Sequence, residues 1–148
     1  DAEYLYDSFV KEKEVDGSMV VSMGRSLGTG VAVYLASVRP VKGVVLISPY
    51  DSIAAVAKGM YPFLPGSLLL KHPFDSISLA PKIKAPAIAF VSKADSVIPP
   101  HHSTRLMDRW AGGHTLKVVD TEGHGEILEE EGMWKDIKGF LDGLNKGF

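Results

Sequence analysis

The stretch Met19-Val20-Val21-Ser22-Met23-Gly24-Arg25-Ser26-Leu27-Gly28-Thr29-Gly30 decides the reading of this chain. A short apolar strand runs into Gly-x-Ser-x-Gly, and a helix of small residues follows at once. In that setting the five-residue pattern reads as a nucleophile elbow, a sharp strand-to-helix turn that holds the Ser26 hydroxyl clear of the sheet. Such a turn drives the serine into a strained backbone conformation and crowds the positions two before and two after it. Glycine at 24 and 28 is expected to relieve that crowding, and Gly30 with Ala32 to let the helix pack close to the strand.

Outward from the elbow, apolar runs and breakers alternate. Ala2 to Lys13 reads as an amphipathic helix, with Tyr4, Leu5, Phe9 and Val10 near helical spacing. Asp16-Gly17 ends it, and the elbow strand begins near Ser18. The helix after Ser26 runs to about Ser37, where Arg39-Pro40 stops it. Val41 to Ile47 is a β-branched run of the kind found in strands buried on both faces. Ala87 to Val91 and Leu116 to Val119 repeat it, with helices over Ser103 to Trp110 and Met133 to Leu144. This alternation predicts an α/β fold, a parallel sheet with helices on both faces.

The interval 49–86 departs from the rhythm. It contains Pro62, Pro65, Pro73, Pro81 and the apolar patch Met60 to Leu70. Two readings stand side by side: a helix with irregular packing on the sheet, or an inserted segment covering a pocket.

Three blocks carry a resemblance to a known family: Gly24-Arg25-Ser26-Leu27-Gly28, then Ser92-Lys93-Ala94-Asp95-Ser96-Val97-Ile98-Pro99-Pro100, then Glu122-Gly123-His124-Gly125. From the elbow to Phe148 the chain resembles the C-terminal half of an α/β-hydrolase-fold serine hydrolase of the esterase, lipase and acyl-thioesterase type. The order serine, acid, histidine is the one that fold uses. The resemblance implies Ser26 as nucleophile, His124 as the base beside it and Asp95 as the acid that orients the imidazole. The backbone N–H of Leu27 would be one oxyanion donor.

Asp51, after the preceding strand, is the rival acid, because some members of the fold draw the acid from there. Its neighbours Ser48-Pro49-Tyr50 and Ser52 also suit a helix N-cap, which is the preferred reading of this residue. Asp75 recurs in several relatives in a structural setting. The implied chemistry is cleavage of a small-molecule carboxylic ester or thioester through an acyl-enzyme, with no cofactor. The alternative is a catalytically silent half-domain acting in assembly or binding. In the resemblance, the interval 49–86 is where a lid is inserted. The second oxyanion donor would come from a loop before the elbow strand, often within an H-G motif, and none precedes Ser26.

Bulk properties narrow the partners. With 148 residues, 45% apolar, 23% charged and a net charge of −2, the chain suits one soluble domain. Complete members of the fold are longer, so it reads as a single partial domain, 1–148. No Lys/Arg cluster interleaved with aromatics points to nucleic acid. No apolar run approaches the roughly 20 residues that cross a bilayer. Zero cysteines exclude disulfides and a cysteine nucleophile and fit a reducing compartment such as the cytoplasm. His101 and His102 open a helix without a third ligand at metal-site spacing, so no metal is expected, while His72 and His114 are expected to face solvent. Finally, a partial sheet would leave Met19 to Met23 as an apolar edge, which is expected to pair with a second copy in a homodimer.

Overall fold

The computed structural model describes residues 1–60 and 74–146. Four strands, β1 (Val21–Arg25), β2 (Gly43–Ile47), β3 (Ala87–Ser92) and β4 (His114–Val119), form one sheet in the order β1-β2-β3-β4 with every pair parallel. Parallel neighbours need crossovers. These are α2 (Leu27–Val38) between β1 and β2, α3 (Ile53–Met60) and α4 (Ser76–Leu79) before β3, and α5 (Pro100–Met107) before β4. Helix α1 (Ala2–Phe9) precedes the sheet and α6 (Glu131–Asn145) closes it.

The side-chain period of two divides the sheet into two apolar layers. Val44, Leu46, Ala87 and Ala89 pack with Ala32, Val33, Leu106, Met107 and Trp110 on one face. Val45, Ile47, Ile88 and Phe90 pack with Ile127, Met133 and Ile137 on the other. Every residue of β2 and β3 is buried, as the β-branched runs predict. In β4 His114, Thr115 and Val118 are exposed, consistent with an edge strand.

The apolar edge expected over Met19 to Met23 starts later. Gly17–Met19 is a 3-10 turn capped by the Asp16 carboxylate, which accepts the Ser18 N–H at 2.9 Å, and the strand proper begins at Val21. β1 is nevertheless an edge strand among the described residues. Ser26 N–H donates to Ile47 O and Lys42 N–H to Val20 O, so the even-numbered positions face β2. The backbone groups of Val21, Met23 and Arg25 point to the open side.

Helix α1 ends at Phe9, not near Lys13, and its apolar residues are not a core face: Tyr4, Leu5 and Phe9 are all exposed. Tyr6 is its buried residue and donates to Pro40 O at 2.6 Å. Arg39 completes the attachment with a two-pronged bond to Asp7 (2.8 and 2.7 Å) and a contact to Glu3 at 3.0 Å. That guanidinium beside Asp7 holds the Asp7 carboxyl below its ordinary value.

Helix α5 begins at Pro100, three residues before the expected start, because a proline in the first turn sacrifices no intrahelical bond. Within 49–86 the described residues form α3, α4 and a 3-10 turn at Ala80–Lys82. The central part of the proposed lid, with all of the apolar patch beyond Met60, lies outside the described residues. No helix among the described residues is long and apolar enough to cross a membrane.

Candidate active site

In a parallel sheet flanked by helices, ligand sites form beyond the carboxyl ends of the strands, where the chain turns out of the sheet. Ser26 follows β1 directly, Asp95 lies three residues after β3, and His124 five after β4. The fold therefore brings all three to the same edge from three separate turns.

The Ser26 turn is sharp and takes the chain from β1 straight into α2. Its backbone takes φ 49° and ψ −123°, a region costing a non-glycine residue on the order of 1–3 kcal/mol. Surrounding bonds hold it there. Ser26 N–H donates to Ile47 O at 2.8 Å, and Ser26 O accepts both Thr29 N–H at 2.9 Å and Thr29 Oγ1 at 2.6 Å.

The glycines serve this turn unequally. A Cβ on Gly24 would lie 2.4 Å from the Gly28 carbonyl oxygen and 2.8 Å from Thr29 Cα, so only glycine lets α2 start that close to β1. A Cβ on Gly28 would meet nothing within 4 Å, so the expectation that Gly28 relieves crowding is not what the packing shows. Gly30 is tight, but against Tyr50 Oη (2.2 Å from its would-be Cβ) and Phe74 rather than the strand.

From Ser26 a continuous chain of polar atoms runs inward. The Ser26 hydroxyl lies 2.9 Å from His124 Nε2, and His124 Nδ1 lies 2.7 Å from Asp95 Oδ2. The Asp95 side chain is fully shielded and the imidazole mostly so. A carboxylate only accepts, so Nδ1 carries the hydrogen it donates to Asp95, and Nε2 is left as an acceptor facing the serine. The other Asp95 oxygen accepts the N–H groups of Val97 (3.0 Å) and Ile98 (2.8 Å), which fixes the carboxylate plane. On the solvent side Arg25 Nη2 donates to the His124 carbonyl at 3.2 Å, tying the histidine loop to the elbow. Ser92 Oγ, donating to Thr121 O at 2.9 Å, ties the acid and histidine loops beneath it.

The Leu27 N–H is the first of α2 and has no acceptor among the described residues, as expected of a first-turn donor.

Asp51 is not at His124. Its Oδ1 accepts from His102 Nδ1 at 2.8 Å and from Ser52 N–H at 2.7 Å, and Arg105 Nη1 stands 3.2 Å from Oδ2. The helix cap that Asp51 was expected to supply belongs instead to Ser52, whose Oγ accepts the Ala55 N–H at 3.1 Å. His102 is buried, His101 and His114 are exposed, and His72 lies outside the described residues. Asp75 precedes α4 without capping it by its side chain, and its backbone bridges to Ser52. Among the described residues no group of three or more His, Asp or Glu side chains could hold a metal ion.

Sequence reasoning missed the Asp51–His102 pair. The local signature of each residue, an aspartate before a helix and one of two adjacent histidines, matches a cap or a solvated side chain. Only the packing of α5 against the β2 exit distinguishes them.

Comparison with known proteins agrees with this architecture. An uncharacterized protein of Mycobacterium tuberculosis is 35% identical over 132 residues, covering 88% of this chain and 47% of that protein. The Arabidopsis thaliana alpha/beta hydrolase domain-containing protein WAV2 is 28% identical over 121 residues, covering 72% of this chain and 39% of that protein. Among solved structures, acetyl xylan esterase 1 from Thermoanaerobacterium sp. superposes with a TM-score of 0.78 at 22% identity, covering 97% of this chain and 51% of the esterase. No family model matches the sequence. The chain thus spans about half the length of the proteins it resembles. Four parallel strands in sequential order, a sharp strand-turn-helix unit at the first of them and these likenesses together establish that the chain has the fold of the α/β-hydrolases.

Proposed function

We propose that this chain carries the reacting groups of a serine hydrolase that cleaves carboxylic esters or thioesters through an acyl-enzyme. The observation that carries the reading is the unbroken Ser26–His124–Asp95 chain of hydrogen-bond contacts, 2.9 and 2.7 Å long, assembled at one sheet edge from three separate turns.

A serine hydroxyl is a weak nucleophile near neutral pH and needs a base within hydrogen-bond reach. In the proposed reaction the Ser26 oxygen bonds to the acyl carbon as His124 Nε2 takes the hydroxyl proton. Asp95 holds the imidazole in the tautomer that can accept it and stabilises the imidazolium that results. The carbonyl oxygen becomes an oxyanion beside the Leu27 N–H. One such donor is worth about 100- to 1,000-fold in turnover. Collapse of the tetrahedral intermediate breaks the acyl–oxygen or acyl–sulfur bond, and His124 passes its proton to the departing alkoxide or thiolate. Water, deprotonated by the same nitrogen, then releases the acid and restores Ser26. No cofactor enters the scheme. An ester is favoured as substrate class by the esterase among the structural likenesses.

The test is hydrolysis of p-nitrophenyl esters of graded acyl length by the protein and its Ser26→Ala variant. Saturable hydrolysis abolished by the substitution is expected. Turnover that survives in Ser26→Ala, or a folded protein that hydrolyses none of the series, would overturn the reading. The second result would leave the alternative of a catalytically silent module.

A further inference from the structure

The segment leaving β2 touches both halves of the candidate site, though it contributes no atom to the Ser26–His124–Asp95 chain. On one side Ile47 O accepts the Ser26 N–H at 2.8 Å, and Tyr50 Oη donates to the Leu27 carbonyl at 3.1 Å. On the other side Pro49 O accepts Ser103 Oγ at 2.6 Å, and Asp51 Oδ1 accepts His102 Nδ1 at 2.8 Å. His102 and Ser103 lie in the first turn of α5, and His102 N–H donates to Pro99 O at 3.0 Å. Only Ser96 to Pro99 separate that turn from Asp95, whose second oxygen is held by two N–H groups of the same stretch.

We infer that Asp51 and His102 are a positioning pair: they lock the acid loop to the elbow, so that Asp95 meets His124 at the distance Ser26 requires. This rests on the reading of Ser26, His124 and Asp95 as the reacting set. Both side chains of the pair are almost wholly buried, 1% exposed for Asp51 and 4% for His102. A buried aspartate–histidine pair adds little net stability over an apolar pair of the same volume. What it supplies is direction, one fixed N–H···O vector between the β2 exit and α5. Arg105 Nη1, on a largely exposed side chain, stands 3.2 Å from the remaining Asp51 oxygen, which accepts no hydrogen bond among the described residues. Ser103 makes a second bond from the same turn to the same segment, so α5 is held at two points and cannot pivot about one.

The experiment compares His102→Leu, which removes the donor, with His102→Asn, which places an N–H near the position of Nδ1. Two readouts are taken: the rate constant for modification of Ser26 by a fluorophosphonate, and the far-downfield proton resonance of the His124–Asp95 hydrogen bond. A displacement of the order of 1 Å at a reacting group costs up to about 100-fold. His102→Leu is therefore expected to react roughly 10- to 100-fold more slowly, and His102→Asn to recover to within a few-fold. For ester hydrolysis the loss falls on kcat rather than KM, and the resonance broadens or disappears in His102→Leu alone.

A folded His102→Leu protein that reacts within about threefold of the parent and keeps the resonance would overturn the inference. If His102→Leu does not fold, His102→Phe, which keeps a ring in the buried site and removes the donor to Asp51, takes its place: a several-fold slower reaction supports the inference and an unchanged rate refutes it. Should the parent itself prove unreactive, the serine-hydrolase reading fails, yet the resonance still decides. Present in the parent and lost in His102→Leu, it supports the positioning role; retained in both, it refutes it.

Discussion

Two alanine substitutions four residues apart should have opposite effects, and the difference follows from the elbow's packing. In Gly24→Ala the new methyl would sit 2.4 Å from the Gly28 oxygen, 2.7 Å from its carbonyl carbon and 2.8 Å from Thr29 Cα. All three are backbone atoms, so no side chain can rotate away. Ordinary contact requires the first turn of α2 to retreat by about 1 Å. That turn carries the two Thr29 bonds to Ser26 O. Overpacking of this kind costs about 1–3 kcal/mol, and the rigid neighbour places it in the upper part of that range. For a chain of this size that lowers Tm by about 5–10 °C.

In Gly28→Ala the methyl meets nothing within 4 Å, and the residue lies in α2. Alanine there removes glycine's conformational freedom from the unfolded chain and gains about 0.5–1 kcal/mol, or roughly 1–4 °C. The assay is thermal unfolding of both variants beside the parent, with the fluorophosphonate rate measured on each. The reasoning is refuted if Gly24→Ala melts within about 1 °C of the parent, or if Gly28→Ala proves the more damaging of the two.

Further expectations are equally open to measurement. Asp95→Asn should cut kcat by roughly 1,000- to 10,000-fold with little change in KM, and Asp51→Asn by far less; steady-state kinetics of the pair reads this, and the reverse order would return the acid role to Asp51. Burial pushes the Tyr50 phenol up to about 12 from its ordinary 10.0, so the folded state favours the neutral form. Its contribution to stability is whole below pH 10 and is lost as pH rises through about 12; urea midpoints across that window should fall more steeply for the parent than for Tyr50→Phe. Phe90 is wholly buried between β3 and the α6 layer, so Phe90→Ala should cost about 3–5 kcal/mol by urea unfolding.

What could be read from the sequence was whatever announces itself over a few neighbouring residues. Val44 to Ile47 and Ala87 to Val91 are buried on both faces, and continuous β-branched or small apolar runs say so directly. Ser26 was legible because strand, glycine and small-residue helix all fall within twelve residues. Asp95 and His124 came to notice only through their resemblance to known blocks, since nothing local separates them from turn residues. The structure brings His124 to Asp95 across 29 residues and to Ser26 across 98.

Errors arose where tertiary packing overrides local pattern. The helical spacing of Leu5 and Phe9 reads as an amphipathic helix running to Lys13, yet α1 stops at Phe9, is fastened by Tyr6 and Arg39 and leaves those residues exposed. The strand β4 starts two residues before Leu116 because an edge strand need not be apolar. Asp51 and His102 could not be paired from the sequence at all, being 51 residues apart and brought together only where α5 crosses the β2 exit.

The most direct test of the central claim is intact-mass analysis after exposure to a fluorophosphonate, on the parent and on Ser26→Ala and His124→Ala variants. The account predicts a single adduct on the parent, mapped to Ser26, absent from Ser26→Ala and strongly slowed in His124→Ala. A folded parent that forms no adduct, or an adduct that persists in Ser26→Ala, would contradict it.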